Sequence, residues 1–114
     1  MTKIYEEKRP WGKFNTYAFN EKCTVKIIEV KPKQRLSLQN HQNREEMWIA
    51  LDDCAYVQIG SRIMKLAKGK TARIKKKQKH RLISKGKKFR VLEISYGKFD
   101  ENDIKRFEDI YGRE

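Results

Sequence analysis

Apolar and polar side chains alternate along most of this chain with a period of two, which is the pattern of half-buried β-strands. Residues 24–31, TVKIIEVK, are the clearest strand: they are rich in β-branched side chains and Pro32 ends them. Arg9-Pro10-Trp11-Gly12 reads as a turn with an aromatic anchor, followed by a strand over 13–19 that pairs with another edge or packs across the domain. A central hairpin is expected from strands at 35–41 and 46–51, with Leu36 and Leu38 facing opposite to Arg35, Ser37, Gln39 and His41. Three short strands follow at 55–59, 62–66 and 70–74, with turns at Gly60-Ser61 and Lys68-Gly69. Residues 80–84 and 88–96 read as a second hairpin across Lys85-Gly86-Lys87. Only the end changes period. Ile104, Phe107 and Tyr111 recur every three to four residues, which predicts one C-terminal α-helix, with Asp100 or Asn102 as its cap and Gly112 at its end. Many short strands at regular intervals define an all-β sandwich or barrel, and the helix is expected to pack outside it.

The polar residues on one strand face change this picture from fold to chemistry. Gln39 and His41 are two apart, so on a strand both side chains leave the same side, and polar residues so patterned suggest a barrel interior that is partly a site. Glu46 lies five residues further on, where a hairpin brings its carboxylate back beside them. A further ligand completes a metal site, and the chain has one other histidine, His80. A His-Glu pair around a turn is more commonly a surface salt bridge than a ligand set, so the spacing by itself leaves both readings open.

Length and charge bound the rest. The 114 residues suffice for one domain with one core. Lys and Arg number 28 against 15 Asp and Glu, a formal charge of +13 that attracts anions, whether nucleic acid, an acidic membrane or a phosphorylated metabolite. Basic residues are spread over the whole chain apart from the 75–79 run, KKKQK, and no helix-turn-helix, zinc-finger or aromatic RNA-binding motif is present, so nucleic acid ranks below the other partners. No apolar run approaches the length of a membrane-spanning helix, and the N-terminus lacks the apolar core of a signal peptide; a cytoplasmic protein with no membrane partner is expected. Cys23 and Cys54 are far apart and lack CxxC spacing, so both read as reduced thiols.

Several words along the chain carry a family resemblance: RPWG at 9–12, VKIIEVKP at 25–32, QRLSLQ at 34–39, His41, Arg44, Glu46 with Trp48, His80-Arg81, and DI-x-R-x-x-D-x-YGR at 103–113. With them the chain resembles a cupin, and more narrowly the C-terminal isomerase domain of bifunctional type II mannose-6-phosphate isomerase/mannose-1-phosphate guanylyltransferases. The resemblance implies a double-stranded β-helix, or jelly-roll, barrel. Against the two cupin motifs, Lys33 stands at the first glycine, Gln39 and His41 at the two histidines, Glu46 at the acid and His80 at the histidine of the second motif. The implied metal ligands are therefore Gln39, His41, Glu46 and His80, two nitrogens and two oxygens suited to a divalent ion such as zinc. Lys33, Asp53, Lys75 and Lys77 fall where relatives carry glycine or proline, so the turns there either differ or accept residues ill suited to φ > 0.

The implied activity is interconversion of mannose 6-phosphate and fructose 6-phosphate by proton transfer between C1 and C2 through an enediol. The general base is not identified; Glu45 and a barrel-facing lysine are weak candidates. Arg35, Arg81 and Arg113 are the candidates for binding the phosphate of a phosphorylated sugar, since guanidinium forks match phosphate oxygens, although most arginines in so basic a chain are solvated surface charges. Trp11 and Trp48 are read as structural. A non-catalytic cupin that binds a sugar phosphate or nucleotide sugar is the alternative. Homodimerisation through exposed edge strands is a further expectation of the resemblance.

Overall fold

The computed structural model describes residues 4–113, and these residues form strands, turns and loops without a helix. Eleven strands occur among them: β1 (Tyr5–Arg9), β2 (Gly12–Thr16), β3 (Cys23–Val30), β4 (Leu38–Asn40), β5 (Glu46–Ala50), β6 (Ala55–Ile59), β7 (Arg62–Leu66), β8 (Thr71–Ile74), β9 (His80–Ile83), β10 (Phe89–Tyr96) and β11 (Lys105–Glu108). β1 and β2 make a hairpin of their own, and the others form two sheets with strand orders β3-β10-β5-β8 and β11-β4-β9-β6-β7. Successive strands from β3 onward alternate between the two sheets, except for the β6–β7 hairpin. The chain thus winds around the barrel axis, which is the course of a double-stranded β-helix.

This winding corrects two pairings expected from the sequence. β4 pairs with β9 and β11, whereas β5 pairs with β10 and β8, so residues 35–41 and 46–51 do not form a hairpin. Nor do residues 80–84 and 88–96: β9 joins β4 and β6, and β10 joins β3 and β5. In each case the connecting turn carries the chain from one sheet to the facing one. Local alternation identifies strands but says nothing of which edge each one meets.

The C-terminal helix is also absent. Residues 105–108 are a strand that pairs antiparallel with β4, and the register shifts between Arg106 and Glu108. That bulge at Phe107 puts an extra residue into a two-residue repeat and so mimics helical spacing. The three apolar residues serve three different surroundings. Ile104 lines the barrel cavity, Phe107 lies under the Lys79 ammonium at 4.2 Å, and the Tyr111 hydroxyl donates to Gln34 Oε1. Beyond the strand, the Asp109 carboxylate accepts from the backbone N–H groups of Tyr111 and Arg113 and from Arg113 Nε, and Gly112 turns the chain at φ +74°. The DxYGR word is a side-chain-capped turn, not a helix end.

The core explains why the site lies where it does. On β5 the inward positions are Glu46, Trp48 and Ala50, and their partners on β10 are Ser95, Glu93 and Val91. One end of the barrel is therefore packed with Ala50, Val91, Val57, Leu82 and Phe89, while the other is lined by polar groups. Trp48 and Glu93 stand in register at the boundary, and Trp48 Nε1–H donates to Glu93 Oε2 at 3.0 Å. The outer face of the same strands, through Met47, Ile94 and Tyr96, is covered by Tyr17 and Ala18 from the segment after β2. Lys33 and Lys77 do adopt the left-handed region, at φ +62° and +67°, so these turns keep the geometry that glycine ordinarily serves.

Candidate metal centre

Three strands and one loop carry the predicted ligands to a common point. Gln39 on β4 is the direct cross-strand neighbour of His80 on β9, which places their side chains side by side on one face. His41 follows β4, and Glu46 opens β5 in the facing sheet, so the carboxylate approaches the imidazoles across the barrel, not around a hairpin. Glu46 Oε1 lies 3.2 Å from Nε2 of His41 and 3.2 Å from Nε2 of His80. The three ligand atoms fall within 4.8 Å of one another, and the two imidazole centroids are 5.0 Å apart. His41, Glu46 and His80 are all buried. All four side chains line one cavity of about 720 Å³.

The surrounding hydrogen bonds prepare both imidazoles in the same way. Nδ1 of His41 is 2.7 Å from the Asp103 carbonyl oxygen, and Nδ1 of His80 is 2.8 Å from the Gln78 carbonyl oxygen. A carbonyl only accepts, so each Nδ1 carries the proton and each Nε2 presents its lone pair to the centre, that of His41 also accepting from Arg44 Nη2 at 3.3 Å. Two lone pairs then face a carboxylate oxygen that is buried and accepts no hydrogen bond. Such an arrangement is unfavourable unless a cation or a proton sits among the three atoms. The donor set fits a divalent ion of the zinc type, with the Gln39 side chain beside it as a fourth donor.

The other oxygen of Glu46 is firmly held. Ser95, its cross-strand partner, donates from Oγ to Oε2 at 2.6 Å, and Arg44 Nε lies 3.3 Å away. Burial pushes the Glu46 carboxyl up, but the Ser95 hydroxyl, together with the His41 and His80 imidazoles once their Nε2 atoms are protonated, outweighs it and holds the group well below the usual carboxylate range. Arg44, itself buried, also reaches the Asp100 carbonyl at 3.0 Å and lies over the Phe99 ring at 4.3 Å. Glu93 behaves oppositely. Burial and the negative charge of Glu46 raise its carboxyl, against the lowering effect of the Trp48 N–H.

The three arginines assigned to a phosphate do not line this cavity. Arg35 and Arg113 line a separate one of about 280 Å³, and Arg113 is paired with Asp109 at 2.7 Å. Arg81 faces away from the barrel interior, donates to Gln58 Oε1 at 2.8 Å and pairs with Glu108 at 3.2 Å. The cations at the metal-centre cavity are Lys26, Arg44 and Arg106. Lys26 and Arg106 come from β3 and β11, the edge strands of the two sheets, and Nε of Arg106 is buried without a hydrogen-bond partner. Glu93 and Ser95 were legible in principle, since both share the inward parity of Val91. Lys26 likewise shares the parity of Ile28 and Val30. Arg106 carries no such signal, because the apolar spacing around its strand is that of a helix.

A jelly-roll barrel with two histidines and a glutamate converging inside it defines a cupin. Within that class, residues 1–109 match the model of the family described as mannose-6-phosphate isomerase C-terminal, and the chain belongs to that family. It is 37% identical over 110 residues to the alginate biosynthesis protein AlgA of Pseudomonas aeruginosa, covering 95% of this chain and 23% of that protein. It is 38% identical over 113 residues to the xanthan biosynthesis protein XanB of Xanthomonas campestris pv. campestris, covering 97% of this chain and 24% of that protein. The chain thus spans about a quarter of the length of these relatives. Among solved structures, a Klebsiella pneumoniae protein with a double-stranded β-helix domain superposes with a TM-score of 0.67 at 18% identity, covering 80% of this chain and 78% of that one.

Proposed function

We propose that this chain is a metal-dependent sugar-phosphate isomerase that interconverts mannose 6-phosphate and fructose 6-phosphate. The observation that carries the reading is the buried Glu46 Oε1, without a hydrogen bond and 3.2 Å from each of two imidazole Nε2 atoms, in a cavity whose lining includes Lys26, Arg44 and Arg106. Membership of a family named for this isomerase supplies the substrate class. Gln39, His41, Glu46 and His80 would hold the ion. A bound divalent cation supplies Lewis-acid stabilisation of the negative charge that develops on the sugar oxygens when a carbon-bound proton leaves.

The remaining roles fall to residues of the chain. Lys26 and Arg106, at the edges of the two sheets, bind the phosphate and so set the position of the sugar carbons. Glu93 moves the proton between C1 and C2: it is a cavity-lining carboxyl, oriented by the Trp48 N–H, whose pKa is raised so that it both takes and returns a proton. The apolar end of the barrel closes the site from below and excludes water there.

The test is metal analysis of the purified protein together with exchange of the C2 proton of mannose 6-phosphate into deuterated water. Bound divalent metal and exchange, both lost in His41→Ala, are expected. Metal-replete protein that binds mannose 6-phosphate without any exchange supports the alternative, a sugar-phosphate-binding cupin without activity.

A further inference from the structure

Of the two metal-facing histidines, His80 is held at Nδ1 by its own segment, whereas His41 is held there by a residue 62 positions away and at Nε2 by Arg44 at 3.3 Å. The distant residue, Asp103, grips three consecutive positions. Its backbone carbonyl receives His41 Nδ1–H at 2.7 Å, its Oδ1 receives the backbone N–H of Gln42 at 2.8 Å, and its Oδ2 receives that of Asn43 at 3.0 Å. The two carboxylate bonds lock the loop after β4 against the segment before β11, so the carbonyl and the imidazole cannot separate without breaking both. Asp103 N–H is in turn bonded to the Asp100 carbonyl at 3.1 Å, and that same carbonyl holds the Arg44 guanidinium. Residues 99–103 thus form an outer wall that orients two of the groups around Glu46.

We propose that Asp103 is a positioning residue for the metal centre: its carboxylate clamps the 42–43 backbone so that its carbonyl fixes the Nδ1–H tautomer of His41 and aims Nε2 at the ion. The proposal rests on the metal reading given above. The orientation of a ligand imidazole by a carbonyl on its far nitrogen is worth roughly 10–100-fold in metal affinity. Glycine or alanine at 103 keeps the carbonyl in the chain but releases the clamp that holds it in place.

The experiment compares the full-length protein with Asp103→Ala and, in case that variant folds poorly, with Asp103→Asn, which keeps the volume but has only one acceptor for the two N–H groups. Nitrogen-15 spectra of the metal-free proteins report the tautomer of each histidine separately, and zinc affinity is measured by competition with a chelator. The wild type is expected to show Nδ1–H at both His41 and His80. In the variants only His41 should become a mixture of tautomers, with zinc affinity reduced roughly 10–100-fold in Asp103→Ala and by less in Asp103→Asn. An unchanged His41 tautomer in both variants, or equal loss at His41 and His80, overturns the proposal. A wild type that binds no zinc sinks the metal reading, yet the tautomer spectra of the metal-free protein still decide the role of Asp103.

Discussion

Replacing Glu46 with glutamine keeps the shape of the side chain and removes one charge from the centre of the barrel. The carboxylate is 1% exposed and the Arg44 beside it 7%, so the exchange leaves a buried guanidinium without its counter-charge. Breaking a buried ion pair from one side costs about 3–5 kcal/mol. Arg44 keeps the Asp100 carbonyl and the face of Phe99, which argues for the lower end, about 3 kcal/mol. With an unfolding entropy of about 2.1 cal/mol/K for each of 114 residues, that corresponds to a fall in Tm of roughly 12 °C. Thermal unfolding in excess chelator measures this loss net of what the introduced amide recovers by donating to the imidazole Nε2 atoms 3.2 Å away. Repeating the scan with zinc at about 100 times its Kd should raise the wild-type midpoint by a further ~2.7 kcal/mol equivalent, roughly 11 °C, and should leave Glu46→Gln unmoved. A variant within about 1 kcal/mol of wild type in chelator refutes the buried pair. An undiminished zinc shift refutes the ligand.

Glu93→Gln should retain the Trp48 hydrogen bond, the fold and zinc affinity while C2 proton exchange falls by about 10²–10⁴, since only the proton carrier is removed; undiminished exchange excludes Glu93 from that role. Lys77→Gly should stabilise the protein by about 1 kcal/mol, because a side chain at φ +67° is strained and glycine is not; a lowered urea midpoint contradicts this. Arg113, first among the causes, holds the Asp109 carboxyl down to about 2. A carboxyl depressed on folding contributes stability that is present above its unfolded pKa, about 3.9, and is lost as pH falls through the folded value. NMR titration of Asp109 should therefore have its midpoint near 2 and return towards about 3.9 in Arg113→Ala; a wild-type midpoint already near the unfolded value excludes the interaction.

The β-branched run at 24–31 and the short runs at 55–59 and 62–66 on either side of Gly60-Ser61 were enough to define β3, β6 and β7, because these signals are local to each strand whatever its neighbour is. The spacing of Gln39, His41, Glu46 and His80 was likewise enough to nominate a ligand set once the family words were joined to it. Inward parity on β10 and β3 was present at Glu93 and Lys26, but each strand also carries a charge of the opposite parity, Arg90 and Glu29, so neither stands out.

What only the tertiary structure decided is which strands meet, and with them which charges share a cavity. Alternation is a property of one strand and its two faces, whereas pairing depends on edges brought together from distant parts of the chain, so β4–β5 and β9–β10 looked like hairpins and are not. The same limit hid the tail: a bulge at Phe107 reproduces the spacing of a helix, and only its pairing with β4 reveals the strand. It also governed the arginines, since Arg35, Arg81 and Arg113 cannot be told from Arg44 and Arg106 until the sheets close around the cavity. The composition of the site was written in the chain, and its second layer, from Ser95 beneath Glu46 to Asp103 behind His41, exists only because the barrel folds those segments against one another.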